Sequence, residues 1–369
     1  MNQETNVTPK TPPPDAIVTA DADFVELARK EIESAAPDAR VLAEPVLGVM
    51  ILRLPDSYWA LAEVWRRSPP IFVRHLCPVQ EVMPLSAGPE AVQRLRAVAV
   101  ERLADMIDPS APFSVQSRIL IEATQDAAYR PYDVNSALAD ALSGATGAPL
   151  DVRNPEQVVS VVVAVYDGVP TVFLGLSPVE YNLSAWAGGV RRFAREKGQI
   201  SRAEFKLLEA VETFAVPLPE RGLALDLGAA PGGWTRVLRQ RGLRVIAVDP
   251  ADLHPTLVAD SGVRHMRMTA GAYLSRGPER FDLIVNDMRM DARDSARLMV
   301  AYADARDRDG HALMTLKLPE QRRRNAIDHA LNILREAYEV VAARQLFHNR
   351  SEITVCLRPR SESSMGGEA

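Results

Sequence analysis

The sequence has few cysteines and no long apolar run. Cys77 and Cys356 are too few for a disulfide framework or for a zinc site built on cysteine ligands. No apolar stretch approaches the roughly 20 residues that a membrane-spanning helix needs. The first residues lack the basic-then-apolar pattern of a signal peptide. We therefore expect a cytoplasmic protein with no membrane contact and no metal.

The net charge of −5 argues against a polyanionic partner, but the charge is unevenly distributed along the chain. Residues 1–185 carry −10, whereas residues 186–360 carry +7. An asymmetry of this kind favours a polyanionic partner at the basic half. A solvated, arginine-rich surface explains the same numbers equally well.

The most informative stretch reads as strand, glycine-rich turn, helix and strand. Leu223–Leu227 is a short apolar run, Gly228–Gly233 is a turn of small residues, and Arg244–Val248 is a second apolar run. Asp249 follows, about 20 positions after the first glycine, where a doubly wound sheet holds a ribose diol. The turn lacks the G-x-G-x-x-G pattern of dinucleotide sites. The spacing predicts a pocket for a nucleoside-containing cofactor; the alternative is an ordinary βαβ turn.

The phrase D-L-G-A-A-P-G-G-W-T at 226–235 resembles the FtsJ-type ribose 2′-O-methyltransferases, which use S-adenosylmethionine. The resemblance implies an α/β fold, a Rossmann-like methyltransferase domain whose doubly wound sheet has an antiparallel last strand. It places the methionine part of the cofactor against the loop and the cofactor ribose on the acid after the second strand. The cofactor-binding residues predicted in this way are Gly228, Ala230, Pro231, Gly232, Gly233, Trp234, Asp249 and Asp287.

Four charged residues match the Lys-Asp-Lys-Glu tetrad of that family, namely Lys206, Asp287, Lys317 and Glu352. Asp287 and Lys317 follow predicted parallel strands, whose carboxyl ends face the ligand crevice. Glu352 begins the last strand, which in a methyltransferase sheet runs antiparallel and so starts at the same edge. Lys206 lies in a predicted helix over 200–210 and is singled out only by the other three.

The tetrad suits transfer to a hydroxyl, because a neutral amine can take the proton that a ribose hydroxyl must lose. Burial and a second ammonium group both depress the pKa of a lysine. We predict Lys317 as the base, Asp287 as its orienting partner, and Lys206 and Glu352 as supports for the ribose. The alternative is four separate surface charges.

The sequence around Asp287 also bears on the acceptor atom. Asn286-Asp287-Met288 lacks the N-P-P-Y or D-P-P-Y of enzymes that methylate exocyclic amines. Neither cysteine lies at a strand end as the nucleophile that 5-methylation of a pyrimidine requires. Both observations favour oxygen as the methyl acceptor.

The domain organisation is predicted from changes in composition and periodicity. Helices and strands alternate over the first 180 residues and end in a hairpin, an order that resembles the RNA-binding THUMP units; a generic α/β accessory domain is the alternative. The predicted segments are a disordered lead-in (1–20), a ferredoxin-like α+β domain (21–80), a THUMP-like domain (81–180), the methyltransferase domain (181–360) and a disordered tail (361–369).

Basic residues mixed with aromatic ones predict where RNA binds, since aromatic rings stack on bases and arginine neutralises phosphate. Tyr181–Gly198 contains Trp186 and Phe193 among its basic residues, and a second basic run follows Lys317. The alternatives are a linker that packs its aromatic rings on the core and a solvated helix start. The predicted RNA-binding residues are Arg191, Arg192, Arg195, Lys197, Arg322, Arg323 and Arg324.

Two closing phrases, L-K-L-P-E-Q-R-R-R and A-R-Q-L-F-H-N-R-S-E-I-T-V, resemble the RlmM-type enzymes, which 2′-O-methylate a cytidine of large-subunit ribosomal RNA. The resemblance implies the same chemistry on ribosomal RNA. Transfer RNA as the substrate, or a non-catalytic RNA-binding protein that retains the fold, are the alternatives. One departure concerns the adenosine end of the cofactor, because Thr269-Ala270-Gly271 stands where the family has an acid.

Overall fold

A computed structural model describes residues 13–85, 90–121 and 130–360. The chain divides between Val190 and Arg191 into two compact units. Within the described ranges, no helix is both long and apolar enough to cross a bilayer. The first twelve residues and the predicted tail 361–369 lie outside the described residues.

The first sheet of the first unit is antiparallel throughout, with the order β2-β3-β1-β4. Its strands are β1 (Ala16–Ala20), β2 (Arg40–Val46), β3 (Val49–Arg53) and β4 (Val73–Pro78). Its helices are α1 (Val25–Ala35) and α2 (Tyr58–Arg67). Strand, helix, two strands, helix and strand follow one another, which is the element order of the ferredoxin-like motif.

The second sheet has the order β5-β8-β7-β6, in which only β6 and β7 are parallel. Its strands are β5 (Glu81–Pro84), β6 (Phe113–Ile119), β7 (Gln157–Tyr166) and β8 (Val169–Pro178). Helices α3 (Glu90–Leu103) and α4 (Pro131–Thr146) share an apolar core with this sheet. The predicted hairpin turn joins β7 to β8, and both its central residues, Asp167 and Gly168, have positive φ, as tight hairpin turns require.

The lead-in predicted over 1–20 is wrong for its last five residues. Ala16–Ala20 is a central strand of the first sheet, and residues 16–19 are at most 4% exposed. Ile17 packs in a cluster with Val162 and Phe173 of the second sheet. Because both of its faces are covered, this strand reads as a short apolar run without the alternation that marks a half-exposed strand.

The boundary predicted at 181 is also misplaced, since the first unit continues to Val190. The physical reason is Asn182, which is fully buried. Its side-chain oxygen accepts hydrogen bonds from the hydroxyls of Tyr58 (2.9 Å) and Ser177 (2.7 Å). Its carbonyl accepts one from the backbone N–H of Leu76.

The second unit contains a seven-stranded sheet with the order β11-β10-β9-β12-β13-β15-β14. Its strands are β9 (Leu223–Leu227), β10 (Arg244–Val248), β11 (Val263–Met266), β12 (Phe281–Asn286), β13 (Arg306–Lys317), β14 (Tyr338–Arg344) and β15 (Glu352–Pro359). The ladders from β11 to β13 are parallel, and β15 is antiparallel to both of its neighbours. The predicted doubly wound α/β sheet with an antiparallel last strand is therefore confirmed.

Helices of the second unit connect these strands. They are α5 (Ala203–Thr213), α6 (Gly233–Gln240), α7 (Pro255–Val258), α8 (Ala270–Leu274), α9 (Ala292–Ala301) and α10 (Arg323–Leu334). Among the described residues, short 3-10 turns occur in both units: four in the first, at Ala22–Phe24, Ala104–Met106, Val179–Tyr181 and Ala187–Gly189, and one in the second, at Ala303–Ala305. The core of this unit joins α5 and α6 to the central strands through Leu207, Trp234 and Val285. This packing fixes α5 beside the carboxyl end of the sheet.

Candidate active site

The carboxyl ends of β9 and β12 are neighbours at the point where the strand order of the sheet reverses. Ligands of doubly wound sheets bind in the crevice outside such a switch point. The loop 228–233 follows β9 at this edge, and Asp287 follows β12. The backbone N–H of Asp287 donates a hydrogen bond to the Leu227 carbonyl at the end of β9 (3.3 Å). The two predicted site elements therefore meet at this edge.

Two glycines of the glycine-rich loop have positive φ, and each has a neighbouring side chain that a Cβ would meet. Gly228 has φ +76°, and a Cβ there would lie 2.6 Å from Cγ of Met288. Gly232 has φ +112°, and a Cβ there would run into the side chain of Leu257. Any other residue is strained at either φ, and at Gly228 it would also press on the Met288 backbone. The loop thus brings bare backbone to the sheet edge.

Trp234 lies at the start of α6 but its side chain does not face the loop. It is 3% exposed, and its indole N–H donates to the carbonyl of Ala203 (2.7 Å). Its ring is thereby committed to anchoring α5. Any cofactor contact of this residue is left to its backbone.

Asp249 lies directly after β10, where the sequence places it. One carboxylate oxygen accepts the N–H of Ala230 (3.1 Å) and the other accepts the N–H of Ala251 (2.8 Å). A carboxylate oxygen can accept two hydrogen bonds, so each retains capacity for a second donor. The carboxylate is thus fixed beside the loop and can still receive a pair of hydroxyl groups.

The four residues of the predicted tetrad form a closed ring of ion pairs. Lys206 Nζ lies 3.2 Å from Asp287 Oδ2 and 2.6 Å from Glu352 Oε1. Lys317 Nζ lies 2.6 Å from Asp287 Oδ1 and 2.9 Å from Glu352 Oε2. Each lysine thus bridges both carboxylates, and the four groups are half-buried or buried with a summed formal charge of zero.

The electrostatics of the ring correct one expectation. Burial alone lowers the pKa of Lys206, but the charges of Asp287 and Glu352 outweigh it and leave that pKa raised. Burial raises the pKa of each carboxyl, yet the two lysines more than reverse this, so both pKa values are lowered. The predicted depression of a lysine pKa is therefore wrong for Lys206, because two carboxylates contact it.

The sheet ladder explains why two members of the ring are adjacent. Lys317 and Glu352 are paired residues of β13 and β15. Directly opposed residues of an antiparallel pair point to the same face with their Cβ atoms about 5 Å apart. The ion pair between them is thus a cross-strand neighbour contact.

Lys206 reaches the ring because two buried glutamates anchor α5. Glu204, 2% exposed, accepts a hydrogen bond from Arg236 of α6 (2.6 Å). Glu209, 4% exposed, accepts the backbone N–H groups of Phe347 and His348, each at 2.8 Å, in the segment that leads to β15. These bonds tie α5 to α6 on one side and to the segment before β15 on the other.

Sequence reasoning missed Thr315, Glu209 and Asp226. Thr315 precedes Lys317 by two positions in β13 and therefore shares its face, a signal that the strand period contains. Asp226, 1% exposed, accepts a hydrogen bond from the Thr235 hydroxyl (2.6 Å), and burial raises its pKa to about 7. Glu209 carries no signal beyond being an acid on an amphipathic helix.

The predicted RNA-binding residues lie in different environments. Arg191 forms two hydrogen bonds with Glu212 (2.6 and 2.9 Å), and its guanidinium carbon is 4.0 Å from the Phe193 ring centre. Arg323 donates to the Pro319 carbonyl, and Arg324 pairs with Asp328 at 3.1 Å. The exposed members of the set are Arg192, Arg195, Lys197, Arg322 and Arg324. Across the described ranges, no group of three His, Cys, Asp or Glu residues is placed to hold a metal ion.

Comparison with known proteins identifies a family for part of the chain. The family model of FtsJ-like methyltransferases matches residues 199–340. The chain is similar to ribosomal RNA large subunit methyltransferase M of Halorhodospira halophila, at 38% identity over 190 residues that cover 50% of this chain and 54% of that protein. A protein of the same name from Alkalilimnicola ehrlichii is 38% identical over 192 residues, covering 50% and 52%. The chain thus spans about half the length of the curated relatives that it matches.

Among solved structures, TrmN from Thermus thermophilus has a TM-score of 0.39 and 17% identity, over 94% of this chain and 99% of that chain. A likeness of this strength carries no conclusion. The family match, in contrast, contains the glycine-rich loop, Lys206, Asp287 and Lys317. The resemblance to this family is therefore confirmed for the matched range, and residues 199–340 form an FtsJ-like methyltransferase domain.

Proposed function

We propose that this protein transfers a methyl group from S-adenosylmethionine to a ribose 2′-hydroxyl of RNA. The observation that carries the proposal is the ring of two lysines and two carboxylates beside the glycine-rich loop. A protein that only binds RNA has no need of such a ring at the carboxyl end of its sheet. The FtsJ-like domain supports the same assignment.

The residues present fit the cofactor. The loop offers bare backbone at the sheet edge, because Gly228 and Gly232 carry no side chains and adopt the positive φ that the turn requires. Asp249 keeps free acceptor capacity on both oxygens for the two ribose hydroxyls. When bound, S-adenosylmethionine supplies an electrophilic methyl group, and the electron pair of the broken carbon–sulfur bond stays on sulfur.

Lys317 is the base in this proposal. As a neutral amine it accepts the proton of the 2′-hydroxyl while that oxygen forms its bond to the methyl carbon, and it later releases the proton to solvent. Asp287 and Glu352 hold the nitrogen through their hydrogen bonds (2.6 and 2.9 Å). Lys206 forms ion pairs with the same two carboxylates and so offsets part of the negative charge beside Lys317.

Large-subunit ribosomal RNA is the proposed substrate. The support comes from the two relatives named ribosomal RNA large subunit methyltransferase M, which are 38% identical to this chain over about half its length. The two sheets of the first unit, proposed as ferredoxin-like and THUMP-like domains, would then contribute RNA contacts of their own. Transfer RNA remains the other outcome of the test below.

The test is transfer of tritiated methyl from S-adenosylmethionine to total RNA, followed by mapping of ribose methylation. RNA from cells that lack the gene serves as the acceptor, since its target site is unmodified. We expect a single 2′-O-methylated nucleotide in large-subunit ribosomal RNA. Label in transfer RNA, or on a base, would replace the substrate assignment. No label in any RNA, despite measurable cofactor binding, would leave a binding protein as the conclusion.

The exposed basic residues Arg192, Arg195 and Lys197 are proposed to contact phosphates. Replacing all three with alanine should weaken binding to a ribosomal RNA transcript. For single-stranded RNA, each lost phosphate contact reduces the magnitude of the negative slope of log K against log salt by about 0.7, so the loss of three contacts reduces it by about 2. The measurement is fluorescence anisotropy at several salt concentrations.

The matched control removes the same charge elsewhere in the second unit. Arg293, Arg297 and Arg335 already bind Asp291, Asp294 and Asn332. Their replacement with alanine should leave the salt slope near that of the wild type. Equal slopes in the two triple variants would mean that only net charge matters and that the 192–197 segment holds no phosphate.

A further inference from the structure

The hydroxyl of Thr315 lies inside the ring of charges although it carries no charge itself. Its Oγ1 is 2.7 Å from Lys317 Nζ and 2.7 Å from Asp287 Oδ1. Thr315 is fully buried in β13, opposite Thr354 of β15. A hydroxyl has one proton to donate. An ammonium group can only donate to the hydroxyl oxygen, and a carboxylate can only accept the hydroxyl proton. Thr315 therefore accepts from Lys317 and donates to Asp287.

The number of hydrogen-bond acceptors around Lys317 explains why its contact with Thr315 matters. An ammonium group has three N–H donors and no acceptor. Lys317 Nζ has three acceptors in hydrogen-bond range: Asp287 at 2.6 Å, Thr315 at 2.7 Å and Glu352 at 2.9 Å. The pocket is thus built for the protonated form of Lys317, with one of its three acceptors supplied by the threonine.

A base must begin the reaction as the neutral amine, which has only two N–H groups. The two carboxylates can receive both, so the contact to Thr315 is the one that distinguishes ammonium from amine. Without the hydroxyl, the ammonium loses one of its three acceptors, and an apolar side chain at this fully buried position offers no other acceptor in its place. Asp287 also loses a hydrogen-bond donor, but this loss affects Lys317 only indirectly, through the Asp287 carboxylate.

We propose that Thr315 is a positioning residue that fixes Lys317 Nζ and sets the pH at which Lys317 gives up its proton. The proposal rests on the function proposed above for Lys317 as the base. It assigns to Thr315 no contact with substrate or cofactor. Its effect passes through the nitrogen that it touches.

Two substitutions separate the hydroxyl from the shape of the side chain. Thr315→Val keeps the branched shape and removes the hydroxyl, whereas Thr315→Ser keeps the hydroxyl. The matched control is Thr171→Val in the first unit, a buried threonine whose hydroxyl donates to the Val169 carbonyl of its own strand (2.9 Å). All three are compared with wild type for thermal unfolding and for equilibrium binding of S-adenosylmethionine.

The direct readout needs no activity. The chain has only five lysines, so the carbon signals next to each Nζ can be resolved by NMR, with Lys317 identified from a Lys317→Arg variant. In the cofactor-free protein we expect the Lys317 signal of Thr315→Val to titrate about one pH unit lower than in wild type, the scale of one lost hydrogen bond to a charged group. Thr315→Ser and Thr171→Val should titrate as wild type does.

The kinetic readout is the pH profile of methyl transfer. For Thr315→Val we expect the half-maximal pH to move in the same direction, and the plateau kcat to fall about tenfold because the nitrogen is less firmly held. An unshifted lysine titration in Thr315→Val would overturn the proposal, as would a serine variant as defective as the valine variant. Loss of cofactor binding or of folding in Thr315→Val alone would do the same, because it would give the hydroxyl a merely structural role. If wild type transfers no methyl group, the NMR titration still decides the role of Thr315, while the proposed function fails separately.

Discussion

Replacing Lys317 with alanine should reduce methyl transfer by about 10³-fold or more, the upper part of the range for loss of a general base. The same change should leave the affinity for S-adenosylmethionine nearly unchanged, because the hydrogen-bond partners of Lys317 Nζ among the described residues are Asp287, Thr315 and Glu352 and lie outside the glycine-rich loop. The reason is chemical: Asp287 and Glu352 are held ionised by the lysines, and both are too weakly basic to take a proton from a ribose hydroxyl. Single-turnover transfer to the mapped RNA measures the loss.

A second variant separates the base from its positive charge. Lys317→Arg keeps a cation between Asp287 and Glu352 but cannot lose a proton at accessible pH. It should fold, bind the cofactor and transfer no more than the alanine variant does. Lys30→Ala, an exposed lysine of α1, is the control and should behave as wild type. Wild-type turnover by Lys317→Arg would show that another group removes the proton.

The second large effect concerns stability and Asp226. This carboxyl is buried beside the site, and burial raises its pKa to about 7; the hydrogen bond from Thr235 opposes the rise, and the charges of Asp287 and Asp249 add to it. A carboxyl whose folded pKa lies above its unfolded value stabilises the fold at low pH, and this contribution is lost as pH rises through the folded pKa. The loss between about pH 4 and pH 7 is on the order of 4 kcal/mol.

Asp226→Asn removes the titrating group, so its stability relative to wild type should increase from about pH 4 to pH 7 and level off above the folded pKa. Urea unfolding at each pH gives the difference. The comparison with wild type is necessary because burial lowers the pKa of His75 to about 3, which makes stability rise with pH over part of the same range. That contribution is the same in both proteins and cancels.

Asp260→Asn is the control for this experiment. The hydrogen bond from Arg239 lowers the pKa of Asp260, so its contribution is already complete above the unfolded value. Relative to wild type, this variant should show no change between pH 5 and pH 8. A flat profile for Asp226→Asn as well would mean that its carboxylate stays charged in the folded protein.

The parts of the site that follow a strand were predictable from the sequence. The loop 228–233, Asp249, Asp287 and Lys317 each come directly after an apolar run, and the rule that ligands bind at the carboxyl ends of parallel strands brings them to one edge. The sheet order and the antiparallel last strand then follow from the family resemblance. These elements needed no knowledge of side-chain packing.

The remaining parts depend on contacts that no local pattern encodes. Lys206 lies on a helix, and its place in the ring depends on Glu204 and Glu209, whose partners are 32 and 138 positions away in sequence. Thr315 became visible only when the distances to Lys317 were known. The strand at Ala16–Ala20 was missed because a short segment covered on both faces shows no alternation.

The pairing of Lys317 with Glu352 in adjacent strands has a consequence for changes of chain length. The spacing between these charges is set by the hydrogen bonds of β13 and β15, so the connection that carries α10 and β14 can be lengthened at its exposed loops without separating them. One residue inserted within either strand, in contrast, would turn one of the two charges to the opposite side of the sheet. Natural variation in length should therefore collect in the connection and spare the two strands.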